Sequence, residues 1–209
     1  MIDIFNISNI AFSVLGYDIS YLELIATISG LISVWFGTKN HILYWWIGLV
    51  SVIASIIIFF QLQLYADMLL SVFYLCITMY GLFSWRSQKN GVLVRNLSLP
   101  EIALWLVFSH TFFLSFYAFA THLHLFFPNV ESASFPLIDS VLSALSVTAT
   151  ILIAKRKAEA WLIWIFVDFA SVFLYLQKGV LFVAIEFGIF TLLAVQGYIL
   201  WEKSIGNKQ

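Results

Sequence analysis

Long apolar stretches separated by short polar ones fill the chain, and their length decides what they are. A bilayer core of about 30 Å needs about 20 helical residues. Seven stretches approach that length: 21–38, 42–62, 66–85, 100–120, 137–154, 160–176 and 180–201. Backbone amides find no water in lipid, so a spanning stretch must be a helix or a strand of a closed barrel. Barrel strands run about ten residues and alternate apolar with polar. These runs are longer and almost uniformly apolar, which predicts helices. Residues 1–18 form a weaker run, interrupted by Asp3, Asn6, Asn9, Gly16 and Asp18. It lacks the basic start of a signal peptide. A short helix lying at the interface is expected there, with an eighth span as the alternative.

Composition agrees and excludes other classes. Apolar residues make up 62% of the 209 and charged ones 10%, against roughly 45–50% and about 25% in soluble domains. With a mean hydropathy of +0.99, the chain cannot be a soluble enzyme, a nucleic-acid binder or a disordered segment. The net charge of −1 offers no bulk field to a polyanion. Cys76 is the only cysteine, so no intrachain disulfide or multi-cysteine metal site can form; it is expected to pack inside as a small hydrophobe.

Charge placement orients the chain. Seven spans put Lys39, Arg86, Lys89, Arg95, Lys155, Arg156, Lys157, Lys203 and Lys208 on one side and only Lys178 on the other. The positive-inside rule then predicts a cytoplasmic C-terminus and an outer N-terminus.

An offset of 116 residues brings the two halves into register without gaps. Glu23 falls on Asp139, Lys39 on Lys155, Trp45 on Trp161, Gln61 on Gln177, Gly81 on Gly197 and Trp85 on Trp201. Matches at scarce Lys and Gln argue against chance. The expected fold is an all-α membrane protein with two three-helix bundles, 21–85 and 137–201. A linker at 86–136 contains the linking helix, a segment at 1–20 precedes the first repeat, and a tail at 202–209 follows the second. Three spans plus one make an even number, so the repeats enter from the same side and are parallel. That architecture belongs to transporters, with the site at the repeat interface near the midplane.

Polar residues inside lipid are costly unless they face the bundle interior. Asp168 is the eighth residue of the run that begins at Trp161, close to mid-membrane. Trp161, Trp164, Asp168, Ser171 and Tyr175 are spaced 3, 4, 3 and 4 apart and share one helix face. A carboxylate flanked by aromatic rings and a hydroxyl suits a flat organic cation; a packing seam with a register-fixing Asp is the plainer alternative. In the first repeat, Tyr44, Gly48, Ser51 and Ser55 share a face that either admits a ligand or lets helices pack closely. The third helices add Ser71, Tyr74, Thr78 and Tyr80, and Glu186 with Gln196. Glu186 lies about two turns from the outer end, where it would snorkel or line the entrance. Gln61 and Gln177 fall at outer helix ends. His122 and His124 are placed in the outer connection and His110 within the linking helix, too few convergent ligands for zinc. No phosphate loop, nucleophile elbow or His-Glu-x-x-His pattern occurs, so no cofactor, metal or catalytic residue is expected.

The stretch FFQLQLYADMLLSVFYLCITMYGLFSW (59–85), the segment WLIWIFVDFASVFLYLQKG (161–179) and the entry GYDISYLELIATISGL (16–31) together resemble the PnuC family over almost the whole chain. The resemblance implies a SWEET-like fold, a homotrimer in the bacterial inner membrane, and uptake of nicotinamide riboside, with thiamine or riboflavin taken by close relatives. It implies facilitated diffusion drawn inward by phosphorylation of the vitamin in the cytoplasm. Trp164 matches the family pattern. Ser51 and Asp168 stand where riboside-transporting members carry Asn, and Ser71 where they carry Gln. Asn and Gln both donate and accept, whereas ionised Asp only accepts, so thiamine, with its ring cation, fits Asp168 as well. Nicotinamide riboside ranks first and thiamine second; a non-transporting membrane scaffold is the reading of another class.

Overall fold

The computed structural model describes residues 5–14, 16–87, 94–126 and 135–206. Lys89, Lys208 and the side chain of His124 lie outside the described residues. Among the described residues, seven helices are long and apolar enough to cross a membrane: α1 (Tyr21–Thr38), α2 (Leu43–Gln61), α3 (Tyr65–Ser87), α4 (Leu99–Phe126), α5 (Pro136–Ala154), α6 (Glu159–Gln177) and α7 (Leu181–Gly206). Local chemistry sets several of their starts. Ser20 caps α1 in a reciprocal box with Glu23, its Oγ accepting from the Glu23 amide while the Glu23 carboxylate accepts from the Ser20 amide, which satisfies two otherwise orphaned donors. Pro136 opens α5, where its missing N–H costs nothing.

The segment before α1 differs from expectation. Strands β1 (Ile10–Val14) and β2 (Tyr17–Ser20) form an antiparallel hairpin where a short interfacial helix was expected. Ile10, Phe12 and Val14 alternate with smaller residues, which is a strand period, and Gly16 supplies the turn with φ of +79°. The Tyr17 ring stacks on Phe182 at 5.9 Å and its hydroxyl donates to Glu23 at 2.7 Å. Burial, and the Glu23 carboxylate next, push that phenol above its ordinary range. Gln61 holds the preceding stretch, accepting from the Ile7 amide at 3.0 Å and donating to the Phe5 carbonyl.

The helices close a ring in the order α1, α2, α3, α5, α6, α7 and back to α1, with α4 outside against α5. Of the seven helices, α5 is the most enclosed and α4, outside the ring, the least. A hydrogen bond of 2.8 Å between Ser109 and Thr148 joins those two. One end of the ring carries the described basic residues of the connections, from Lys39 to Lys203; Glu23, Asp67, Asp139 and Lys178 lie at the other.

The 116-residue offset recurs in the local geometry. Asn40 and Arg156 both have positive φ, 52° and 54°, as do Gln63 and Gly179 at 59° and 75°. Trp45 meets Trp85 edge to face at 5.5 Å and 89°; Trp161 meets Trp201 at 5.5 Å and 88°. The Trp45 and Trp161 indole N–H groups are both buried without a partner among the described residues. Across the ring, Trp85 Nε1 donates to the Ala154 carbonyl at 3.0 Å and Trp201 Nε1 to the Gly37 carbonyl at 3.1 Å. Arg156 Nε donates to Asn40 Oδ1 at 3.1 Å, so two residues related by the offset touch.

Two smaller expectations are corrected here. Cys76 is exposed on the outer face of α3, not packed inside; a thiol is apolar enough to face lipid. Helix α4 extends to Phe126, so His122 lies on it rather than in a connection, its Nδ1 bonded to the Ala118 carbonyl at 2.9 Å.

Candidate functional site

Helix α6 presents two faces. Leu162, Phe166, Phe169, Phe173 and Leu176 point outward and are exposed. Trp161, Trp164, Asp168, Ser171 and Tyr175 are buried or half-buried, so the face read from their spacing is the inward one. Asp168 is 4% exposed. Among the described residues no hydrogen bond or ion pair reaches its carboxylate. An isolated buried carboxylate is expensive unless a partner compensates it. Tyr74 of α3 lies within electrostatic range of Asp168 and has its hydroxyl beside Ser146 of α5. Tyr44 of α2 lies within range of Tyr74 in turn. Ser71 sits one turn from Tyr74 and is buried, as is Ser171, one turn from Asp168.

The other expected residues separate into different levels. Trp161, 2% exposed, belongs to the aromatic layer at the basic end, where its ring lies over Gly197 and against Trp201. Gly48 and Ser51 lie in the seam between α1 and α2: Ser51 Oγ donates to the Ala26 carbonyl at 2.9 Å, Ser33 Oγ donates to the Tyr44 carbonyl at 2.6 Å, and a Cβ on Gly48 would meet Ser33 Oγ at 3.1 Å. Their small size is used by helix packing. Tyr175 and Glu186 gather at the acidic end. Glu186 lies beside Thr27 and within range of Glu23, and Tyr175 within range of Asp67, Asp139 and Glu186. Trp164 stays with the middle level, at the edge of the cluster that holds Leu142 and Val167. Ser146 was missed in the sequence. Its signal was the run of hydroxyls at Ser140, Ser143, Ser146, Thr148 and Thr150 in an otherwise apolar helix.

A family model described as nicotinamide mononucleotide transporter matches residues 20–203. The chain belongs to that family, the PnuC family. The nicotinamide riboside transporter PnuC of Escherichia coli strain K12 is 31% identical over 227 residues, covering 97% of this chain and 95% of the relative. The protein of the same name from Neisseria mucosa is 24% identical, covering 89% and 73%. A crystal structure of the vitamin B3 transporter PnuC matches with a TM-score of 0.68 at 21% identity, over 90% of this chain and 83% of that one. The fold is thus the PnuC fold. The chain is a multi-pass membrane transporter with seven spans, not an enzyme. Among the described residues no group of three metal-ligating side chains comes together.

Proposed function

We propose that this PnuC-family chain takes up nicotinamide riboside across the bacterial inner membrane. The ring cation of the ligand faces Asp168, and the Trp164 indole lies beside it. The observation that carries this reading is a nearly buried carboxylate, without a partner among the described residues, at the middle level of the ring. A pyridinium ring would neutralise it, and an aromatic face adds cation–π attraction. Tyr74, Ser71 and Ser171 are within reach as hydroxyl partners for the ribose. The family model's description names a mononucleotide, the curated relatives' names a riboside. The charges in the middle and at the acidic end favour the riboside, because Asp67, Asp139, Asp168 and Glu186 would repel a phosphate.

Thiamine is the second reading, favoured by one specific observation. Both ligands carry a permanent ring cation, but ionised Asp168 only accepts hydrogen bonds, where an Asn would also donate to the ribose of the riboside; thiamine, with one hydroxyl tail, loses less by the change. Thermal stabilisation of the purified protein by nicotinamide riboside, thiamine and riboflavin in parallel separates the readings. A ligand at a hundred times its Kd adds about 2.7 kcal/mol. Stabilisation by none of the three would favour the scaffold.

The two units, 21–85 and 137–201, act as parallel repeats that rock about the Asn40–Arg156 contact, and three copies assemble as a homotrimer. The basic end is cytoplasmic. A reporter fused at Gln209 that works only in the periplasm should be silent, and activity there would overturn the orientation. Transport is facilitated diffusion with trapping by cytoplasmic phosphorylation. Unmodified substrate should therefore fill liposomes to equal concentration and stop; accumulation driven by a proton or sodium gradient would refute this.

A further inference from the structure

At the basic end, away from Asp168, a pocket of about 450 Å³ opens between α3, the stretch before α4 and the turn from α5 to α6. Arg95, Lys155, Arg156 and Lys157 line it against a single carboxylate, Glu101. Tyr80 and Ser84 of α3 add hydroxyls.

The cations are not equivalent. Lys157 Nζ pairs with Glu101 at 2.8 Å. The Arg156 guanidinium lies 4.3 Å over the Trp85 ring and holds Asn40. Lys155 and Arg95 are exposed, and among the described residues no hydrogen bond or ion pair engages either side-chain charge. Two free cations and two held ones therefore converge on one cavity.

The wall that carries Arg95 is fixed. Its amide donates to the Arg156 carbonyl at 3.1 Å, and its carbonyl accepts from the Ala158 amide at 3.2 Å. Two residues on, the Leu97 amide donates to Glu159 at 2.7 Å. A connection pinned in this way fixes the backbone from which the Arg95 side chain reaches the pocket, so binding has only the side chain left to order.

We propose that this pocket binds a phosphate group, with Arg95 and Lys155 as its direct ligands and Arg156 and Lys157 as the charge behind them. Guanidinium forks match phosphate oxygens two at a time, and an ammonium adds a point charge. The cavity has the volume of an ordinary small-ligand pocket. The phosphate has two available sources, a membrane phospholipid or a soluble phosphate anion. Leu104 and Val107 on the exposed outer face of α4 provide an apolar path for an acyl chain just beyond Glu101. The cytoplasmic side supplies soluble phosphates.

Thermal unfolding of the detergent-purified full chain tests both sources. One arm adds phosphatidylglycerol, with the phosphate-free diacylglycerol of the same chains as its control. The other adds inorganic phosphate, with chloride at equal ionic strength. Phosphatidylglycerol or phosphate, or both, should raise the melting temperature above its control. A response to the lipid alone assigns the site to a headgroup, and a response to phosphate assigns it to a soluble anion. Arg95→Gln and Lys155→Gln should each weaken the apparent affinity about tenfold, the scale of one charged hydrogen bond. Because both side chains are exposed and unengaged, the ligand-free melting temperatures should stay at the wild-type value. No stabilisation above control in either arm would overturn the proposal, as would a doubly substituted protein that responds like wild type.

Discussion

Gly197→Ala should lower the melting temperature of the purified protein, and Gly81→Ala should do the same, although helix propensity alone favours both changes. Alanine is better than glycine inside a helix by about 1 kcal/mol. Packing acts the other way. A Cβ built on Gly197 would stand 2.6 Å from Trp161 Cδ2, with two more ring carbons within 2.8 Å, and one on Gly81 would strike the Trp45 ring in the same manner. Neither ring has room to retreat, since Trp161 abuts Trp201 and Trp45 abuts Trp85. Overpacking of this kind costs about 1–3 kcal/mol, so destabilisation should win. The pairing is testable as a cycle. Trp161→Leu alone removes buried ring and should destabilise, yet placed on Gly197→Ala it should recover part of the loss. A coupling of about 0.5–3 kcal/mol is the range for residues in contact. Additive effects would mean that Gly197 does not serve to seat the Trp161 ring.

That pair also shows what a sequence can and cannot display. The offset that matched Trp45 with Trp161 and Gly81 with Gly197 was visible because rare residues recur at one spacing. Their contact was not, because close approach of a backbone to an indole depends on how two helices cross. The spans were legible for a plain reason: lipid requires length and apolarity, and both are read directly from the chain. The helix bounds moved by a residue or two, except at the ends of α4, where the polar Thr121, His122 and His124 concealed an extra turn or more, and of α7, where Glu202, Lys203 and Ser204 were read as tail but continue the helix to Gly206. Hairpin 10–20 was misread because its polar residues suggested an interface, while the alternation of Ile10, Phe12 and Val14 is short and Gly16 was weighed as a breaker only. At the candidate site the inward face of α6 followed from spacing alone. Spacing could not tell that Gly48 and Ser51 meet Ser33 and Ala26 of α1, or that Ser146 would come to Tyr74, since both depend on partners distant in sequence.

Asp168→Asn gives the largest expected change in ligand binding, and its effect on the fold should have the opposite sign. The amide keeps the shape of the carboxylate and removes its charge. Losing a desolvated contact between carboxylate and ring cation should cost about 1.5–3 kcal/mol, the range for hydrogen bonds to charged groups, or roughly ten- to a hundredfold in Kd. Trp164→Ala should also weaken binding, by about 0.5–2 kcal/mol if its ring stacks on the cation. The ligand-free protein should be at least as stable as wild type, because Asp168 has no partner to lose among the described residues and an uncharged amide is cheaper to bury. A register-fixing Asp predicts the reverse: poor assembly and unchanged affinity in whatever folds. Titrating nicotinamide riboside and thiamine against wild type and variant separates these cases, and an Asn variant that binds both as tightly as wild type would remove Asp168 from the site. The two ligands need not respond alike. Asparagine can donate to a ribose hydroxyl as well as accept from one, which offsets part of the lost charge for the riboside; thiamine offers less for that donor to bind. A variant that loses thiamine but gains nicotinamide riboside would make Asp168 the residue that selects between them, and thiamine the ligand of the wild-type chain.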